Sequence, residues 1–214
     1  IKKDIKDGFK PFLVVGTAGS VSFGAVDPLE ELSRICKEHD LWFHIDGAYG
    51  APAAASSLSP KELMNLNLAD SLAVDPHKWL YSALEVGCTL VKDPNHLRST
   101  FSHHPAYYEF SAQAQEIDYH EYGMQNSRGF RALKVWMGFK LLGKNGFIDL
   151  IDKDIVLSRS LYEKIGDYPH IETYSNQLSI TTFRYVPEKY AGTEVDNLEA
   201  INELNQMILQ KIFE

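Results

Sequence analysis

Three short apolar runs each end in a polar turn, and this pattern limits the fold more than any other feature of the chain. Phe12-Leu13-Val14-Val15 runs into Gly16-Thr17-Ala18-Gly19-Ser20, Leu41 to Ile45 delivers Asp46, and Ser71 to Val74 delivers Asp75-Pro76-His77-Lys78. Helical patterns stand between them. Pro28 to Glu38 places Leu29, Leu32 and Ile35 on one face with Asp27 as its N-cap, and Ser59-Pro60 opens another helix. Strands alternating with helices predict an α/β fold with a parallel-rich sheet, which Val86 to Val91 extends by a further strand. Ligands of such sheets lie beyond the carboxyl ends of the strands, so Thr17, Asp46 and Lys78 are expected to converge on one crevice from three loops.

Beyond the sheet the pattern changes. Thr100 to Asn126 is polar, aromatic and irregular, with Phe101, His103, His104, Tyr107, Tyr108, Phe110, Tyr119 and Tyr122, as in a functional lid or a disordered connection. Helical periodicity resumes from Arg128 to Leu142, stops at Gly143 and continues from Gly146 to Ile165. Ile171 to Tyr174 and Ser179 to Tyr185 read as two antiparallel strands, followed by a terminal helix carrying Leu198, Ile201, Leu204, Met207, Ile208 and Ile212. A smaller α+β domain is therefore expected from about residue 150. Ile1 to Asp7 resembles the tail of a charged helix without a cap, and the last helix also stops uncapped, so a fragment of a longer protein is expected.

Composition narrows the class. With 44% hydrophobic and 12% aromatic residues the chain can fill a core. Its 21 basic and 29 acidic residues give a net charge of -8, and no Lys/Arg cluster could neutralise a run of phosphates, so nucleic acid is not an expected partner. Cys36 and Cys88 are the only cysteines and lack CxxC spacing, which suits a reducing compartment and a cytoplasmic location. No apolar run approaches the roughly 20 residues of a membrane span, so no membrane partner is expected.

Asp46 and Lys78 carry the chemical argument. A carboxylate and a lysine on neighbouring strand ends are the layout expected of a pyridoxal phosphate enzyme. The cofactor's aldehyde needs an amine for a Schiff base, and its ring nitrogen needs an anion to keep a proton there. The lysine must be neutral to attack, which burial and a neighbouring cationic ring would favour. Each residue alone has a plainer reading: Lys78 as a surface lysine, Asp46 as a turn cap, Gly16 to Gly19 as an ordinary turn. A metal site at His103-His104 is not expected, because adjacent side chains point apart and no carboxylate stands at ligand spacing.

Four stretches together resemble the group II pyridoxal phosphate decarboxylases, which include the aromatic L-amino acid, glutamate and histidine decarboxylases. They are Val15-Gly16-Thr17-Ala18-Gly19-Ser20, Trp42-Phe43-His44-Ile45-Asp46-Gly47-Ala48-Tyr49, Asp70-Ser71 through Asp75-Pro76-His77-Lys78-Trp79, and Arg128-Gly129-Phe130-Arg131-Ala132-Leu133-Lys134-Val135-Trp136. The resemblance implies the type I (aspartate aminotransferase-like) fold of pyridoxal-phosphate-dependent transferases. Residues 1–150 would be the C-terminal part of the cofactor-binding large domain, and 151–214 part of the small C-terminal α+β domain. It also implies a homodimer with the active site at the subunit interface.

Carried over residue by residue, the resemblance gives Lys78 the Schiff base and Asp46 the ring nitrogen. Ala48 would pack on one ring face, Thr17 would contact the cofactor, and His77 would support the lysine turn and the substrate. Tyr107, within Pro105-Ala106-Tyr107, matches the loop tyrosine that protonates the carbanion, where a phenylalanine would favour aldehyde synthesis. Asp75 departs from the asparagine common in aromatic decarboxylases, and is carried as a cofactor contact subject to repulsion from the phosphate. The family's N-terminal stacking histidine and phosphate loop find no counterpart in this sequence. The expected activity is decarboxylation of an L-amino acid, most simply an aromatic one. The alternatives are a related lyase acting on glutamate, a sulfinate or a phosphorylated amino alcohol, and a non-catalytic fragment or pseudoenzyme that keeps only the dimer interface.

Overall fold

The computed structural model describes residues 1–103 and 117–214. After a short helix α1 (Lys2–Lys6), β1 (Leu13–Thr17), β2 (Trp42–Asp46) and β3 (Ser71–Val74) lie side by side and parallel. The register sets Thr17 opposite Asp46 and Asp46 opposite Ala73, so the strand ends are level. β4 (Cys88–Val91) completes the sheet antiparallel to β3. It is shorter than the expected strand and reversed, because 75–87 forms turns without the crossover helix that a parallel return requires.

Helix α2 (Leu29–Glu38) covers one face of this sheet. Leu29, Ser33 and Cys36 form its buried stripe, Glu30 and Glu31 sit in the first turn and Lys37 in the last, matching the helix dipole. The helix approaches closely because β1 carries Gly16 there. A Cβ on Gly16 would meet Leu32, Leu29 and Phe43 side chains at 3.0 to 3.1 Å. The cap expected of Asp27 is not made: Pro28 is the N-cap residue and receives no side-chain bond. Asp27 instead turns its carboxylate to the backbone N–H of Thr17, at 2.7 Å, where β1 ends and no neighbouring strand supplies an acceptor.

The helix expected after Ser59-Pro60 is a 3-10 segment, Lys61–Leu68, and Ala51–Ala55 forms another. α3 (Pro94–Phe101) starts at Asp93, whose side chain accepts from the Asn95 N–H at 2.9 Å. The expected helix from Arg128 begins only at Ala132, after tight turns at Gly129 and Phe130, and continues as α4 to Gly166. It breaks at Gly143, where φ is +63°, as the sequence predicts. β5 (Ile171–Gln177) and β6 (Ile180–Tyr185) form the expected antiparallel hairpin, and α5 (Leu198–Phe213) follows.

One buried cluster joins these parts. Leu29, Phe43, Ile45, Leu63 and Trp79 pack with Ile151 and Ile155 of α4 and with Leu178 at the hairpin turn. Each large side chain removed from water there contributes roughly 1.5–3 kcal/mol. The second half of α4 and the hairpin turn thus share a core with the sheet, and the turn is carried to the strand ends. No helix among the described residues is long and apolar enough to cross a membrane.

Candidate active site

Three backbone hydrogen bonds gather the loops at the ends of the parallel strands. Ala18 donates to the Asp46 carbonyl at 2.7 Å, Gly47 to the Ala73 carbonyl at 3.1 Å, and Asp75 to the Ala48 carbonyl at 3.0 Å. A cleft of about 470 Å³ opens beside them, lined by Thr17, Ser20, Val21, Asp46, Ala48, Tyr49 and Lys78 and closed by Ser179 and Ile180 of the hairpin. Thr17, Asp46 and Lys78 are thereby brought together from three separate loops. A larger groove of about 720 Å³ runs between α2 and the Lys61–Leu68 segment, but none of the candidate residues lines it.

Asp46 is exposed at the cleft, and one of its oxygens accepts the Ala48 N–H at 3.1 Å. It pairs with no cation among the described residues. Lys78 extends its ammonium to Asp75, with Nζ 2.9 Å from Oδ2, and its side chain is 44% exposed. The burial expected of Lys78 is therefore not found, because the lysine turn forms an open side of the cleft. Asp75 lies off the cleft lining and directs its carboxylate at the lysine.

His77 faces the other way along the turn. Its Nδ1 is 2.6 Å from the Val86 carbonyl oxygen and 3.1 Å from the Val86 nitrogen, and the ring tautomer selects which of the two contacts is a hydrogen bond. Its Nε2 is 3.9 Å from Asp75. Backbone bonds from Lys78 to Asp75, Tyr81 to Lys78 and Ser82 to Pro76 close the lysine turn. Tyr107 and His104 lie outside the described residues.

Residues beyond the cofactor-contact candidates also frame the cleft. Tyr49 lines it, and the Tyr49 hydroxyl hydrogen-bonds Ser179 Oγ and accepts the Ser179 backbone N–H at 3.2 Å. Burial pushes the Tyr49 phenol above its ordinary range, and the bonds to Ser179 offset this only in part. Trp79 is not on the cleft lining. It is 4% exposed and stacks on Tyr49, with ring centroids 4.7 Å apart at 14°. Its indole N–H reaches Asp154 of α4 at 2.9 Å, and the Tyr81 hydroxyl donates to the same carboxylate oxygen. No short motif announces Asp154, which stands 75 residues from Trp79 in a helix of ordinary polar and apolar alternation.

The pyridoxal-dependent decarboxylase conserved domain matches residues 1–186. The chain is 41% identical to an aromatic-L-amino-acid decarboxylase of Bacillus atrophaeus, over 99% of this chain and 44% of that protein. It is 33% identical to the acidic amino acid decarboxylase GADL1 of Xenopus tropicalis, over 91% of this chain and 39% of that one. The crystal structure of Oryza sativa TDC with PLP and tryptamine superposes with a TM-score of 0.80 or better, at 0.83, with 26% identity over 98% of this chain and 44% of that chain. The chain thus spans less than half the length of these relatives, and it shares with them the α/β fold and mostly parallel sheet that its sequence predicts. Matched by that conserved domain from its first residue to the end of the hairpin, the chain belongs to the pyridoxal-dependent decarboxylase family.

Proposed function

We propose that the protein of which this chain is part decarboxylates an aromatic L-amino acid with pyridoxal phosphate. The observation that carries the reading is the convergence of Thr17, Asp46, Ala48 and Lys78 on one cleft in a member of this family. The residues present fit the cofactor. The cleft's 470 Å³ lies within the roughly 300–1,000 Å³ of small-molecule sites, and Asp46 is a carboxylate with no cation partner among the described residues.

Bound there, pyridoxal phosphate would supply an aldehyde that takes an amine and a protonated ring that draws electrons from the bond to be broken. Asp46 would hold the proton on the ring nitrogen, Lys78 would offer the amine, and the methyl group of Ala48 would support one ring face. Thr17 would add a hydroxyl contact, and His77 would brace the lysine turn through Val86. Asp75 would act through Lys78 more than through the cofactor, given the ion pair between them. Tyr107 is proposed as the hydroxyl that returns a proton to the carbon that has lost carbon dioxide.

An aromatic substrate is favoured over an acidic one by the charge of the cleft. Lys78 is the only lysine or arginine among its described lining residues, so a second carboxylate or a sulfinate on the substrate would lack a cation in this part of the site. Residues 1–150 are read as large domain and 151–214 as small domain. A homodimer with its active site at the interface is supported by Leu133, Trp136, Met137 and Leu141, which stand exposed on α4 as an apolar stripe for a second copy to cover. Cys36 and Cys88 are both free, which supports a cytoplasmic location.

The test is an absorbance spectrum with added pyridoxal phosphate, followed by borohydride reduction and peptide mapping. A shifted absorbance band with label on Lys78 supports the site, and carbon dioxide release from phenylalanine, tyrosine or tryptophan in preference to glutamate supports the substrate. Label scattered over surface lysines would favour a chain that keeps the fold without the chemistry.

A further inference from the structure

We infer that Asp154 is a positioning residue for Lys78, clamping the lysine turn onto α4 through Trp79 and Tyr81. The inference rests on the decarboxylase reading for what Lys78 does once positioned, and on the geometry alone for the clamp. One carboxylate oxygen, Oδ2 of Asp154, accepts the Trp79 indole N–H at 2.9 Å and the Tyr81 hydroxyl. These donors are the first and third residues after the lysine. Asp154 pairs with no cation among the described residues, so these two bonds are its visible work.

The two donors hold the turn in different ways. Trp79 is 4% exposed and part of the main core, so its ring is a fixed anchor. Satisfying its buried N–H would alone account for a carboxylate on α4. That account leaves Tyr81 unexplained, since a phenol on a side chain 47% exposed could be solvated by water. Tyr81 also has φ of +51°, a left-handed backbone that costs a non-glycine residue roughly 1–2 kcal/mol and persists where surroundings fix it. The backbone bonds of the turn and the hydroxyl bond to Asp154 together hold it there. Burial, the hydrogen bond and the charge of Asp154 hold the Tyr81 phenol well above its ordinary range.

The clamp also reaches the opposite wall of the cleft. Trp79 stacks on Tyr49, and the Tyr49 hydroxyl holds Ser179 at the hairpin turn. Asp154 therefore fixes the lysine turn against the same aromatic pair that carries Ser179 and Ile180, and the width of the cleft between Lys78 and the hairpin depends on it.

The deciding experiment is hydrogen exchange read by mass spectrometry on the segment 76–82, with and without pyridoxal phosphate and borohydride labelling, in Asp154→Ala, Asp154→Asn and Tyr81→Phe. Asp154→Ala is expected to speed exchange of the Lys78, Tyr81 and Ser82 amides about tenfold or more while α2 stays unchanged, and to lower trapped label on Lys78 by a similar factor. Asp154→Asn should restore both, because its side-chain oxygen can accept both donors. Tyr81→Phe should give an intermediate effect, and its exposed position keeps it folded if Asp154→Ala is not. Exchange unchanged in both Asp154→Ala and Tyr81→Phe would overturn the clamp. Absence of label on Lys78 in the unsubstituted protein would instead count against the decarboxylase reading, with the exchange data still deciding the clamp.

Discussion

Nζ of Lys78 stands 2.9 Å from Oδ2 of Asp75, three residues earlier in the same turn, and the backbone N–H of Lys78 donates to the Asp75 carbonyl at the same distance. The side chains are 44% and 27% exposed, so water screens the pair and it is worth about 0–1 kcal/mol. Its consequence lies in where it holds the amine. Asp75→Asn keeps the backbone turn and releases the ammonium, so the unfolding free energy in urea should fall by less than about 1 kcal/mol. Borohydride trapping of pyridoxal phosphate on Lys78 should rise about two- to fivefold, the rate equivalent of an exposed pair. A slower rate would mean that Asp75 directs the lysine into the cleft and does not restrain it.

Asp46 offers the opposite combination, with little structural duty and a large expected effect on binding. It is exposed, and among the described residues its carboxylate accepts one hydrogen bond, from the Ala48 N–H at 3.1 Å, so Asp46→Ala should cost about 1 kcal/mol of stability or less. Loss of a charged partner to the ring nitrogen should weaken pyridoxal phosphate binding by about tenfold or more, measured by equilibrium dialysis. Affinity unchanged within about twofold would remove Asp46 from the cofactor's contacts.

The contrast between these residues and Asp154 shows what could be read before folding. Thr17, Asp46 and Lys78 were legible because each stands in the polar turn that ends an apolar run, and a parallel sheet sends every such turn to the same edge. Gly143 was legible because periodicity stops there. Asp154 and Ser179 were not, since their partners Trp79 and Tyr49 lie 75 and 130 residues away and meet them only once α4 and the hairpin pack on the sheet. Asp27 shows a different failure. The local rule for a helix cap pointed to α2, but the unpaired N–H of Thr17 at the strand end took the carboxylate. Lys78 was expected to be buried from the chemistry it would perform, and sequence pattern says nothing about which side of a turn stays open.

Gly50 marks the tightest contact between two of the site's loops. A Cβ there would stand 2.3 Å from the Ala18 carbonyl oxygen and 3.0 Å from its carbon, and both are backbone atoms that cannot rotate away. Gly50→Ala should therefore destabilise by about 2–3 kcal/mol, as an overpacked site that must move its backbone. Urea unfolding checks the size, and label on Lys78 should also fall because the loop carrying Thr17 is displaced. A loss below about 0.5 kcal/mol would mean that the two loops separate freely.

Alkaline pH should weaken the fold through groups that the native state keeps protonated. Cys36 is 2% exposed, and burial first, then the charge of Asp70, push its thiol above the ordinary 9.0. Burial is likewise the leading cause that raises Tyr49 and Tyr81 above 10.0. A raised native pKa means that the unfolded chain releases its proton first. The stability these groups contribute is complete below the unfolded values and is lost as pH rises through the native ones. Unfolding free energy in urea should accordingly be insensitive to these groups at about pH 7–8 and decline above about pH 9. Cys36→Ala should cost about 1 kcal/mol near neutrality through lost packing, yet show a shallower decline between about pH 9 and pH 10, before the tyrosines dominate. If the two curves run parallel through that interval, the Cys36 thiol does not contribute to the alkaline loss, which then falls to the tyrosines and to Cys88, whose thiol burial also raises.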